Sequence, residues 1–249
     1  MIAAGFFLIA TTNVSATTIN DNYWGSQDHG WGDVIGNPSQ FGISSADVTV
    51  SGGMLQVDIH TNFAGLGDDG LFSSYTNNGL GIGYGDLFLS SVWTPDTTGS
   101  NYINDNNVTG TLWTYGFALD NNWGNGGSGV LYQLNGATND ANAILTDDLF
   151  NGATYRNGQE ILVDKNGQTA VGNGTWTVDA INGVLGFQMD ISGTSLMTAS
   201  DIALHWGPSC GNDIIEGVAA VPEPSTLLLL GTGLVGLFAF NRKKKQVLS

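Results

Sequence analysis

The sequence predicts an all-β protein, an antiparallel β-sandwich of jelly-roll type followed by a single C-terminal transmembrane helix. Three observations predict it. Apolar and polar residues alternate with a period of two in one stretch after another. Clusters of Gly, Asn, Asp and Ser, residues that favour turns, separate these stretches, and the chain carries 37 glycines. Near the C-terminus, the uncharged apolar run 227–240 is followed almost at once by a basic cluster.

The elements follow in order. Residues 1–10 are apolar, and Val14-Ser15-Ala16 is a small-residue cleavage pattern, so residues 1–16 read as a secretory signal peptide. No Lys or Arg precedes the apolar run, which places the start inside a longer leader. Residues 17–220 read as one extracellular domain. In segment 55–63, Leu55, Val57, Ile59, Thr61 and Phe63 share one face, and Gln56, Asp58, His60 and Asn62 the other. Segments 111–119 and 184–191 alternate in the same way. Shorter candidate strands are 47–51, 87–93, 130–134, 160–164, 175–179 and 202–206. One apolar and one polar face is the mark of an antiparallel sheet. Only 140–150 suits a short helix, and 217–221 reads as a tether. About nine strands in a domain of this size suggest two packed sheets.

Charge narrows the function. Six basic residues stand against 22 acidic ones, and four of the six lie at 242–245. Without that cluster and Glu223, Arg156 and Lys165 face 21 acids, a net charge of −19. With no basic patch, nucleic acid is not a partner. Cys210 is the single cysteine, so no internal disulfide staples the fold.

The C-terminal segment has three parts. Val221-Pro222-Glu223-Pro224 leads, and its prolines hold the chain extended. The 14 residues of 227–240 follow; as a helix they rise about 21 Å, against a hydrocarbon core of about 30 Å. Arg242, Lys243, Lys244 and Lys245 then supply a membrane stop, with the basic end cytoplasmic. This arrangement resembles the PEP-CTERM sorting domain, over about 25 residues. The resemblance implies that residues 221–249 are a sorting tail, recognised by a membrane-embedded exosortase in a Gram-negative bacterium. It further implies inner-membrane anchoring before processing, then transfer to the cell surface or exopolysaccharide matrix.

For the body, three readings follow: a non-enzymatic surface or matrix protein, a lectin-like module, or a glycan-processing enzyme. The loop tryptophans Trp24, Trp31 and Trp123, flanked by Asn and Asp, suit stacking against sugar; plugs for the ends of a sandwich are the alternative. The oxygen-rich positions Asp68, Asp69, Asp86, Asp213 and Glu216 suit Ca²⁺. The stretches 120–124 and 105–110 begin like EF-hand loops but lack the closing Glu, with Leu131 and Gly116 in its place. His205 and Cys210, five residues apart, are candidate metal ligands or a nucleophile pair, but the spacing fits no closed Zn motif and a structural turn explains it better. Catalytic motifs are missing and Glu160 and Glu216 are the body's two glutamates, so no catalytic residue is assigned. His60 lies on a polar face with Asp58, a solvated pair.

Overall fold

A computed structural model describes residues 16–26, 32–67, 69–150, 155–221 and Gly233. The segment expected to be a signal peptide, up to Ser15, and the tail from Pro222, Gly233 apart, lie outside the described residues. So do Trp31 and Asp68. Among the described residues, no helix is long and apolar enough to cross a membrane.

The chain forms β1 (Thr17–Asn20), a one-turn helix α1 (Pro38–Phe41), β2 (Ile43–Ser51), β3 (Met54–Thr61), β4 (Leu87–Ser90), β5 (Tyr115–Leu119) and β6 (Gly126–Gln133). Then come β7 (Ala143–Leu145), a second one-turn helix α2 (Thr146–Leu149), β8 (Glu160–Val163), β9 (Thr169–Asp179), β10 (Val184–Asp190), β11 (Asp201–Trp206) and β12 (Ile215–Ala220). Ten strands make one antiparallel sheet in the order β1-β2-β3-β10-β9-β6-β5-β4-β11-β12. The remaining two, β7 and β8, pair with each other.

One continuous sheet therefore takes the place of two hydrogen-bonded layers. It curls until its edges meet. The Thr17 hydroxyl donates to the Ala220 carbonyl at 2.8 Å. Ile19 of β1 packs so closely on Gly217 of β12 that a Cβ at 217 would lie 2.6 Å from Ile19 Cγ2. Glycine is required there because the seam leaves no room for a side chain. The turn from β2 to β3 is equally specific: Gly52 and Gly53 both have positive φ, as a tight two-residue hairpin demands.

Alternation sorts the side chains as the period of two dictates. Leu55, Val57 and Ile59, Phe117 and Leu119, Leu185, Phe187 and Met189, and Leu204 and Trp206 share the interior core. Phe88, Ala118 and Ala203 point the other way, into a second core closed by Trp113, Leu134, Ala143 and Val163. The β7–β8 pair covers that outer face, so β4 and β5 are buried on both sides.

All nine candidate strands are present, with shifted ends. Segment 140–150 is α-helical only over the single turn of α2; the rest holds the end of a 3₁₀ turn (Asn139–Ala141) and β7. Pairing with β8 and burial of Ala143 override the local helical preference. The presumed tether at 217–221 is mostly β12, hydrogen-bonded along β11 from Asp201↔Ala220 to Trp206↔Ile215.

Candidate functional site: buried polar clusters and the sorting tail

The β11–β12 hairpin places His205 directly opposite Glu216 on the outer face. The His205 Nδ1 and Glu216 Oε2 atoms are 3.0 Å apart, and His205 Nε2 is 3.0 Å from the Glu160 backbone oxygen. The Glu160 carboxylate lies 3.8 Å from the same Nε2. The indole N–H of Trp93 donates to Glu216 Oε1 at 2.9 Å. Phe88, Trp113 and Tyr23 surround the imidazole with ring contacts. Tyr23 in turn donates to the Asp105 carboxylate.

This cluster is sealed from solvent. His205 is fully buried, with Glu160 and Glu216 almost so. Burial pushes the Glu160 carboxyl up to about 8, against the pull of His205. Burial, reinforced by the Glu216 charge, raises Asp105 to about 7. Burial alone would lower the His205 pKa, but the Glu216 hydrogen bond and the neighbouring carboxylates hold it above its ordinary value. With its carboxyl held up at about 8, Glu160 is largely protonated at neutral pH.

A second cluster sits where β1, β2 and β12 converge. Asp21 follows β1, Asp33 lies in the loop before α1, and Asp213 precedes β12. Each offers a carboxylate oxygen, and these oxygens lie within 4.8 Å of one another. Asp213 accepts the backbone N–H of Ile43 at 2.6 Å and of Ile214 at 3.0 Å. Asp21 accepts that of Tyr23 at 3.2 Å. Asp21 Oδ2 and Asp33 Oδ1 are buried with no hydrogen-bond partner. Arg156 lies close by, but its guanidinium donates to the backbone carbonyls of Gly32, Asp33 and Gly211. Burial and the Asp33 charge push Asp21 up to about 8, while burial and Asp21 raise Asp213 well above the ordinary range. Burial also raises Asp33.

The residues singled out from sequence fall in separate places. Asp86 accepts N–H bonds from Leu119 and Val163 and from the Asn122 amide, at 2.8–2.9 Å, which fastens β8 to the sheet. Burial raises its carboxyl to about 6. Asp69 is exposed in a turn, Asp213 belongs to the aspartate triad, and Glu216 belongs to the histidine cluster. Cys210 lies in the interior core, on the other side of the sheet from the His205 cluster, and burial pushes its thiol up to about 12. A thiol so raised is a poor nucleophile and a poor metal ligand. Trp24 and Trp123 are half-buried, and the Trp123 indole N–H donates to the Gly81 carbonyl at 2.9 Å. His60 contacts Asp47 across the strands at 3.0 Å, rather than Asp58. Sequence reading missed Asp21 and Asp33, which lie in polar loops with no motif around them.

The last described backbone bond runs from Val221 N–H to the Ser200 carbonyl at 2.7 Å. The tail begins there. Residues 220–243 match the PEP-CTERM protein-sorting motif. A PEP-CTERM tail implies export, membrane anchoring before processing, and processing by an exosortase. Its match opens at Ala220, the final residue of β12, so the sheet ends where the address begins. No curated protein and no solved structure matches the chain.

Proposed function

We propose that this chain is an exosortase-processed protein of the cell surface or exopolysaccharide matrix, with a structural, non-enzymatic role. The observation that carries the reading is the junction at Ala220: the PEP-CTERM match overlaps the ten-stranded sheet only at the final residue of β12. In this reading residues 1–16 direct export, and 227–240 form the transmembrane anchor until processing. The body then acts as a closed, strongly acidic barrel or sandwich, held in place by contacts with the polysaccharide. The sealing of His205, Glu160 and Glu216 supports a non-enzymatic role, since a general acid or base must reach a substrate. A lectin-like role is the weaker reading, because the polar edge of Trp123 already bonds to Gly81.

The test is intact mass and cell fractionation in a host with and without its exosortase. Loss of the tail and release from the inner membrane only when the exosortase is present is the expected result. An intact tail in the inner membrane of both strains would overturn the sorting reading. Hydrolysis of matrix glycan by the purified protein would overturn the non-enzymatic one.

A further inference from the structure

We infer that Asp21, Asp33 and Asp213 form a Ca²⁺ site that clasps the seam of the closed sheet. The three carboxylates come from sequence positions that only the fold unites: the end of the first strand, the loop before the second, and the approach to the last. Three carboxylates gathered within 4.8 Å repel one another. With Arg156 the group carries a net charge of −2 when ionised, which a divalent cation balances.

Two further observations point to a ligand rather than to a cluster that merely repels itself. The first is the orphaned oxygens. Asp21 Oδ2 and Asp33 Oδ1 have neither solvent contact nor a hydrogen-bond partner, although buried polar atoms are nearly always satisfied. The second is Asn212, 6% exposed, whose Oδ1 also has no partner. Its backbone carbonyl accepts from Ile35 N–H at 2.7 Å, and its amide faces Gly36, so the side chain lies against the turn that follows Asp33. Three carboxylates, completed by water, are the hard oxygen donors that Ca²⁺ takes. No thiol or imidazole is among them, which disfavours softer metals. Arg156 offsets one of the three charges, but its Nε and Nη2 donors go to the carbonyls of Gly32, Asp33 and Gly211.

The site explains why the seam needs it. Between β1 and β12 the sheet is closed by side-chain contacts and not by a backbone ladder. A cation held by residues on both sides of that seam ties the first and last strands together, where a disulfide cannot, since Cys210 is the single cysteine.

The test uses the full chain, stripped with EDTA and returned to CaCl₂ or MgCl₂ at constant ionic strength. Ca²⁺ is expected to bind with a stoichiometry of one by calorimetry. At ten- to hundredfold excess over Kd it should raise Tm by roughly 3–10 °C, as expected for a chain of this size. Asp33→Asn and Asp21→Asn should each weaken binding by about tenfold or more, since ligand charge sets Ca²⁺ affinity. In EDTA these two variants should melt at or above the wild-type temperature, because the amide removes repulsion. Asp179→Asn, at an exposed turn elsewhere, should leave the Ca²⁺ response intact. No Tm response to Ca²⁺, or a response that survives in the Asp21→Asn/Asp33→Asn double variant, would overturn the site. An equal response to Mg²⁺ would overturn its assignment to Ca²⁺.

Discussion

Truncation of Glu216 to alanine should be among the most damaging changes available outside the interior core. The carboxylate, 3% exposed, accepts from Trp93 through one oxygen and pairs with His205 through the other. Alanine leaves the Trp93 N–H and His205 Nδ1 without their partner inside a sealed cluster. Removing one member of a buried ion pair costs about 3–5 kcal/mol. For a chain of this length, at roughly 2–4 °C per kcal/mol, that lowers Tm by roughly 6–20 °C. Glutamine keeps the shape and an acceptor for Trp93 but loses the charge, so Glu216→Gln should cost about 1.5–3 kcal/mol, the range for a hydrogen bond to a charged group. Glu160, 3.8 Å from His205, can then ionise and take over part of the pairing. The assay is urea unfolding followed by tryptophan fluorescence, with the m-value required to stay constant. If Glu216→Ala fell within about 1 kcal/mol of wild type, or Glu216→Gln proved the worse of the two, the ion-pair account would be wrong.

Three further outcomes are expected. Asp86 and Glu160 titrate near 6 and 8 in the folded state, above their ordinary values of 3.8 and 4.5. Folding therefore binds protons: their contribution is full below those ordinary values and is lost as pH rises through 6 and then 8. The lowered carboxyls of Asp47, Asp96, Asp120, Asp179 and Asp190 act in the opposite sense, and their contribution is lost as pH falls below 3.8. The urea midpoint should thus be highest in mild acid and fall from pH 5 to 9, and a flat or rising profile would contradict the assignment. Gly217→Ala should cost about 1–3 kcal/mol by overpacking against Ile19, and Ile19→Ala should relieve part of that in the double variant. Finally, a chain ending at Val221 should keep the far-UV spectrum of the sheet, whereas one ending at Ile214 should lose it, since β12 forms one side of the seam.

The strands were legible where both signals coincided. In β3 and β10, bulky residues at every second position, with polar ones between, leave little ambiguity. The strand β12 was hidden because its inward positions after Ile215 are Gly217 and Ala219, too small to show the period, and that smallness is what the contact with Ile19 demands. The strand β1 is short and polar, and β7 is a strand only because β8 lies beside it. At the sites, sequence exposed the acids but not what faces them. Asp86 looked like a metal ligand, yet its oxygens meet backbone N–H groups from strands far away in sequence. The His205 and Glu216 pairing was within reach: a hairpin joining 201–206 to 215–220 sets the two opposite each other. The aspartate triad was not, because Asp21 and Asp213 become neighbours only when the sheet closes.

Closure itself ties these observations together. An antiparallel sheet with open edges exposes unpaired N–H and C=O groups, and bringing β1 up to β12 covers part of those edges without a ladder between them. The Thr17–Ala220 bond spans 203 residues of chain. The seam's direct contacts include one hydroxyl bond, and Ile19 against Gly217. The carboxylate triad lies at the end of that same seam and, left uncompensated, would push it apart. With a cation between them, the same groups become the strongest link across it, and the stability of the closed sheet comes to depend on the ion content of the medium outside the cell.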